Sequence, residues 1–81
     1  MLTYETCKNV AIKKAESFNN SISKAYILNG NYVFDSDVEC MGVLPVVVSR
    51  KTGETIGLWK YLYNNNLCMD DMKEIDLEKG A

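Results

Sequence analysis

The chain contains no histidine. That absence excludes Ser-His-Asp and Cys-His catalysis and the common histidine-containing zinc sites. Cysteine is sparse and odd in number: Cys7, Cys40 and Cys68 lie far apart. No disulfide framework, zinc knuckle or Cys-x-x-Cys redox pair is expected from that spacing, and a reducing cytoplasm is the expected location. No apolar run approaches the roughly 18 residues of a membrane span. The opening stretch, MLTYETCKNVAIKKAES, lacks the apolar run of a secretory signal. Glycine-rich phosphate and dinucleotide loops are missing too. RKTGE, Arg50 to Glu54, has a lysine and a glycine but not the Gly-Lys-Ser/Thr order that cradles phosphate. We expect no cofactor, no membrane partner and no enzymatic activity.

What is present suits one small folded domain. The 81 residues are 47% apolar and 25% charged, a balance typical of globular chains. A chain of this length buries roughly 60–65% of the surface exposed by its unfolded form. Its core is therefore thin, and self-association would enlarge it. The net charge is −2. Residues 1–34 sum to +2, residues 35–54 to −2 and residues 55–81 to −2. Nothing in that distribution makes the broad basic footprint of a nucleic-acid binder.

Along the chain, Thr3 is placed to cap a helix and Glu5 to meet the positive end of its dipole. Tyr4, Cys7, Ala11, Ala15 and Phe18 recur at helical spacing. They predict a helix over residues 3–18 with a closely approachable face. The period then becomes two. Ser23, Ala25 and Ile27 alternate with Lys24, Tyr26 and Leu28. Asn29-Gly30-Asn31 marks a turn, and Tyr32-Val33-Phe34 a second strand. Val46-Val47-Val48 reads as a strand buried on both sides or packed on the helix. Arg50 to Gly53 forms a hairpin loop, and Glu54 to Leu58 returns. The order predicts an α+β domain: an N-terminal helix on a mainly antiparallel sheet of three to four strands. Its second sheet face would be wet or would meet a partner. A short tail helix is expected from Asp70 or Asp71, with Met72 and Ile75 on one side.

Two clusters are candidates for contact. Asp35, Asp37 and Glu39 would share one face of an extended strand. They suit a solvated or protein-facing acidic patch, and they are the residues an alternative, weakly metal-dependent enzyme would use. Trp59, Tyr61 and Tyr63, in WKYLY, would share a face if the segment is a strand. A helix would instead set Trp59 near Leu62 and Tyr63. Such aromatics complete a core, anchor a protein interface or join copies into a homo-dimer.

The stretch PVVVSRKTGETIGL, Pro45 to Leu58, resembles the closing hairpin of two groups of small bacterial domains. These are the Imm35-like immunity domains and the PepSY-like class. The order of elements over residues 4–62 resembles them as well, with spaced Ala11 and Ala15 on the helix and YVFDS as a strand. The immunity resemblance implies a protein that occupies a bacterial toxin. Asp35, Asp37 and Glu39 would then face a basic toxin site, and Trp59, Tyr61 and Tyr63 would supply apolar anchors. The PepSY resemblance implies a nonenzymatic regulator of a protease-associated partner.

Overall fold

A computed structural model describes residues 1–36 and 45–80. Helix α1 spans Tyr4–Glu16, capped by Thr3, whose hydroxyl accepts the Thr6 N–H at 3.2 Å. Cys7, Ala11 and Ala15 recur every fourth residue and are fully buried. The helix stops short of Phe18. The Ser17 hydroxyl donates to the Lys14 carbonyl at 2.6 Å, and Asn19 enters the left-handed region at φ 59. Those two events end the last turn, so Phe18 points into solvent rather than joining the apolar stripe.

Five strands follow: β1 Lys24–Leu28, β2 Asn31–Asp35, β3 Val46–Val48, β4 Thr55–Gly57 and β5 Lys73–Ile75. They form one antiparallel sheet in the order β4-β3-β2-β1-β5. The β1–β2 connection is a two-residue turn with positive φ at both Asn29 (52) and Gly30 (81). That backbone matches the right-handed twist of the strands and needs positive φ at both residues, which Asn-Gly tolerates. The sheet has one strand more than the three to four expected. Where a tail helix was expected, a 3₁₀ turn over Met69–Asp71 leads into β5. The Asp71 carboxylate accepts the Cys68 N–H at 2.9 Å and closes that turn. Ile75 then lies opposite Ala25, so the tail satisfies the open edge of β1 instead of winding on itself.

The pairing register sorts the side chains into two cores. Ala25, Tyr32, Phe34, Val46 and Val48 pack with Cys7 and Ala11 of α1. Leu28, Val33 and Val47 face the other way and pack with Leu58 and Leu62. Both leucines belong to helix α2, Leu58–Asn65. The second face is thus neither wholly wet nor free for a partner: the WKYLY segment winds as a helix and covers part of it. The tail also returns to α1. The Tyr4 hydroxyl donates to the Leu77 carbonyl at 2.6 Å, and its ring meets Tyr32 edge-on at 5.0 Å. Gly80, at φ 78, lies so close that a Cβ there would run into the Tyr4 ring.

Two tests follow from this packing. Leu62→Ala empties the second core and lowers unfolding free energy by about 2–4 kcal/mol, whereas Trp59→Ala stays within about 0.5 kcal/mol. Urea denaturation of the two variants checks that Leu62 faces the core and Trp59 the solvent, equal losses in both being the contrary result.

Tyr4 makes alkaline stability measurable. Burial, reinforced by the nearby charges of Glu5, Asp76 and Glu78, pushes its phenol from 10.0 up to about 12. Between those values the unfolded chain loses this proton and the folded chain keeps it. The contribution is therefore complete below the unfolded value and is lost as pH rises through the folded one. Tyr4→Phe lowers stability at neutral pH by removing the bond to Leu77, and it flattens the fall above about pH 10. Urea midpoints at about pH 9 and about pH 11 decide it, an equally steep fall in the variant being the contrary result.

Candidate functional site

The outer side of α2 is the most distinctive surface among the described residues. The helix starts directly from β4, and the Leu58 N–H donates to the Pro45 carbonyl at 3.1 Å. Leu58 and Leu62, four residues apart, turn inward. Trp59 and Tyr63, also four apart, turn outward and are 65% and 88% exposed. Residues 59 and 63 lie one turn apart on a helix and so form one apolar surface. Lys60 and Asn64 flank them, both exposed. At the C-terminal end Asn66 takes the left-handed conformation at φ 54, and the Leu67 N–H returns to the Leu62 carbonyl.

Tyr61 behaves differently. It is half-buried and packs with the second core. Its hydroxyl oxygen accepts from Asn29 Nδ2 at 3.2 Å and from Asn31 Nδ2 at 2.9 Å. Asn31 Oδ1 in turn accepts the Arg50 N–H at 3.1 Å. One asparagine thereby ties α2, the β1–β2 turn and the β3–β4 loop together. Of the three aromatic candidates, Trp59 and Tyr63 form the free surface and Tyr61 is the bolt beneath it. The Asn29-Gly30-Asn31 signal was legible as a turn, but the role of its amides depends on Tyr61 arriving from a distant segment.

Composition marks the same place. Between residues 55 and 69 the only charged side chain is Lys60, in a chain with nine Lys and Arg and eleven Asp and Glu. Aromatic enrichment with depleted charge is the signature of the centre of a protein interface.

The acidic candidates are only partly in view. Asp35 ends β2 opposite Lys24, half-buried, and its Oδ1 accepts the Ser36 N–H at 2.7 Å. Asp37 and Glu39 lie outside the described residues, as does Cys40. Among the described residues no group of three or more Cys, Asp or Glu side chains could hold a metal ion. Cys7 is sealed under α1, and burial pushes its thiol up against a smaller opposing pull from Arg50. Its surroundings do not favour a nucleophilic thiolate. Arg50 lays its guanidinium over the Tyr32 ring at 5.1 Å. No helix among the described residues is long and apolar enough to cross a membrane.

No family model, no curated protein and no solved structure matches this chain. The likeness to small immunity and PepSY-like domains therefore rests on the residues that suggested it.

The Tyr61 bolt has a measurable consequence. Tyr61→Phe removes the acceptor of two amide donors and lowers unfolding free energy by about 1–2 kcal/mol, while Asn31→Ala, which also frees the Arg50 N–H, costs at least as much. Because both changes break one network, the double variant loses less than the sum of the two, which a double-mutant cycle in urea reads directly.

Proposed function

We propose that this chain is a small protein-binding domain whose contact surface is the outer side of α2. The observation that carries the reading is the pair Trp59 and Tyr63, held 65% and 88% exposed on a helix whose inner side is already used. Large aromatics left in water on a fixed element are costly unless they are covered in the working state. Trp and Tyr are also the side chains that most often dominate binding energy, since they combine area with few rotatable bonds. The low charge around them, with Lys60 alone between residues 55 and 69, fits a surface that is desolvated on contact. A toxin, as the immunity resemblance implies, is one partner this surface suits. Asp35, the last residue of β2, would then add charge recognition.

The test compares tagged intact chain with Trp59→Ala/Tyr63→Ala as bait in the native cell extract. A species held in stoichiometric amount by the wild type and lost from the double variant, but retained by Lys13→Ala on exposed α1, is the expected result. Identical captured species from all three baits would sink the proposal. Circular dichroism of each bait ensures that folding is not the cause.

A further inference from the structure

We propose that Asn29 is a site of covalent modification by water, deamidation through a cyclic imide, and that the Tyr61 hydroxyl guards it in the folded chain. The inference goes beyond the α2 contact surface and does not depend on what that surface binds.

Three observations meet at one turn. Asn29 is the one asparagine followed by a glycine. A residue without a Cβ leaves its nitrogen uncrowded, so the neighbouring side chain can reach it. Asn29 and Gly30 are both exposed, and even a Cβ on Gly30 would meet nothing within 4 Å. Water therefore has access. The Asn29 side chain, however, is held. Its Nδ2 donates to the Tyr61 hydroxyl at 3.2 Å, beside the 2.9 Å bond to the same oxygen from Asn31.

The reaction needs only water. The Gly30 nitrogen attacks Asn29 Cγ. The N–Cγ bond forms and the Cγ–Nδ2 bond breaks. Nδ2 leaves as ammonia, taking through solvent the proton that the Gly30 nitrogen gives up. Water then opens the imide ring. Opening at Cγ leaves aspartate on the original backbone. Opening at the Asn29 main-chain carbonyl carbon leaves isoaspartate, with the chain rerouted through Cβ and Cγ. To close the ring, the Asn29 side chain has to swing onto the Gly30 nitrogen and give up its bond to Tyr61. Tyr61 thus slows the reaction by stabilising the starting arrangement.

The two products act differently on the fold. Asp-Gly suits the same turn as Asn-Gly. Its carboxylate accepts from the Tyr61 hydroxyl, so the tie is remade with its direction reversed. Isoaspartate adds a carbon to the backbone of a two-residue turn whose two φ angles are both positive, and loop length decides which turn the strands can share. That product releases the tie at the middle of α2. The modification is a one-way loosening of the α2 mounting.

Incubation of the intact chain in mildly alkaline buffer, with mass spectrometry after proteolysis, reads the rate at each asparagine. Asn29 converts ahead of every other asparagine, and Tyr61→Phe speeds it by about three- to tenfold, the factor expected for freeing one hydrogen bond. Val46→Ala, a change in the buried core on the α1 side, separates local release from global unfolding. It speeds Asn29 less than Tyr61→Phe does, with circular dichroism showing both variants folded. The isoaspartate form, separated by chromatography, unfolds at lower urea than the wild type and than Asn29→Asp. An Asn29 that converts no faster than the other asparagines overturns the site. Equal rates in wild type and Tyr61→Phe, or a larger acceleration by Val46→Ala, overturn the guarding role. An isoaspartate form with an unchanged urea midpoint overturns the loosening of α2.

Discussion

The fold depends on one constraint: its central strands are apolar on both faces. Val33 and Val47 point one way and are fully or almost fully buried; Phe34, Val46 and Val48 point the other and are equally covered. A sheet with two apolar faces needs two covering layers. In a chain of 81 residues, α1 supplies one layer with small Cys7 and Ala11, which let Tyr32 and Phe34 come close. Among the described residues the stretch after β4 supplies most of the other, with Leu67 and Met72 beside it. The eight residues of α2 cover it with Leu58, Leu62 and half-buried Tyr61, while Trp59 and Tyr63 face outward. The exposed aromatic pair is thus a geometric consequence of where α2 has to lie, while its chemical identity is not. Solvent contact would be served as well by Lys or Glu at positions 59 and 63.

How far the sequence revealed this varied with the range of the interactions involved. The Thr3 cap, the Cys7–Ala11–Ala15 stripe, the alternation in β1 and the Asn29-Gly30 turn were all readable, because each is decided by neighbours within a few residues. The Val46-Val47-Val48 run read as buried on both sides or packed on the helix, and its side chains divide between the two cores. Phe18 matched the stripe by spacing, yet Ser17 and Asn19 ended the helix before it. WKYLY was ambiguous since its three aromatic residues and one leucine satisfy either period. What decides for the helix is Leu58 and Leu62 filling the face of β3, a contact no local pattern contains. The tail misread has the same origin. Met72 and Ile75 stand three apart, as on a helix, but the open edge of β1 offers hydrogen bonds that a marginal short helix cannot match.

The candidate site was legible in its residues and not in its arrangement. Trp59, Tyr61 and Tyr63 were read as one candidate group, with strand and helix both left open. The helix divides them, sending Tyr61 to the amides of Asn29 and Asn31. That division matters for recognition. An isolated helix of eight residues is unstable in water. This one is held at its start by the bond from Leu58 to Pro45, at its middle by Tyr61, and at its end by Asn66 and Leu67. Its exposed rings stand on a backbone fixed at three points. Ordering a loop on binding costs free energy that a preorganised surface does not lose. A small contact can therefore retain more of its gross interaction energy. Under the proposed protein-binding reading, this fixed mounting is what lets a short aromatic face serve as the contact, and the Asn31–Tyr61 link holds it at its middle.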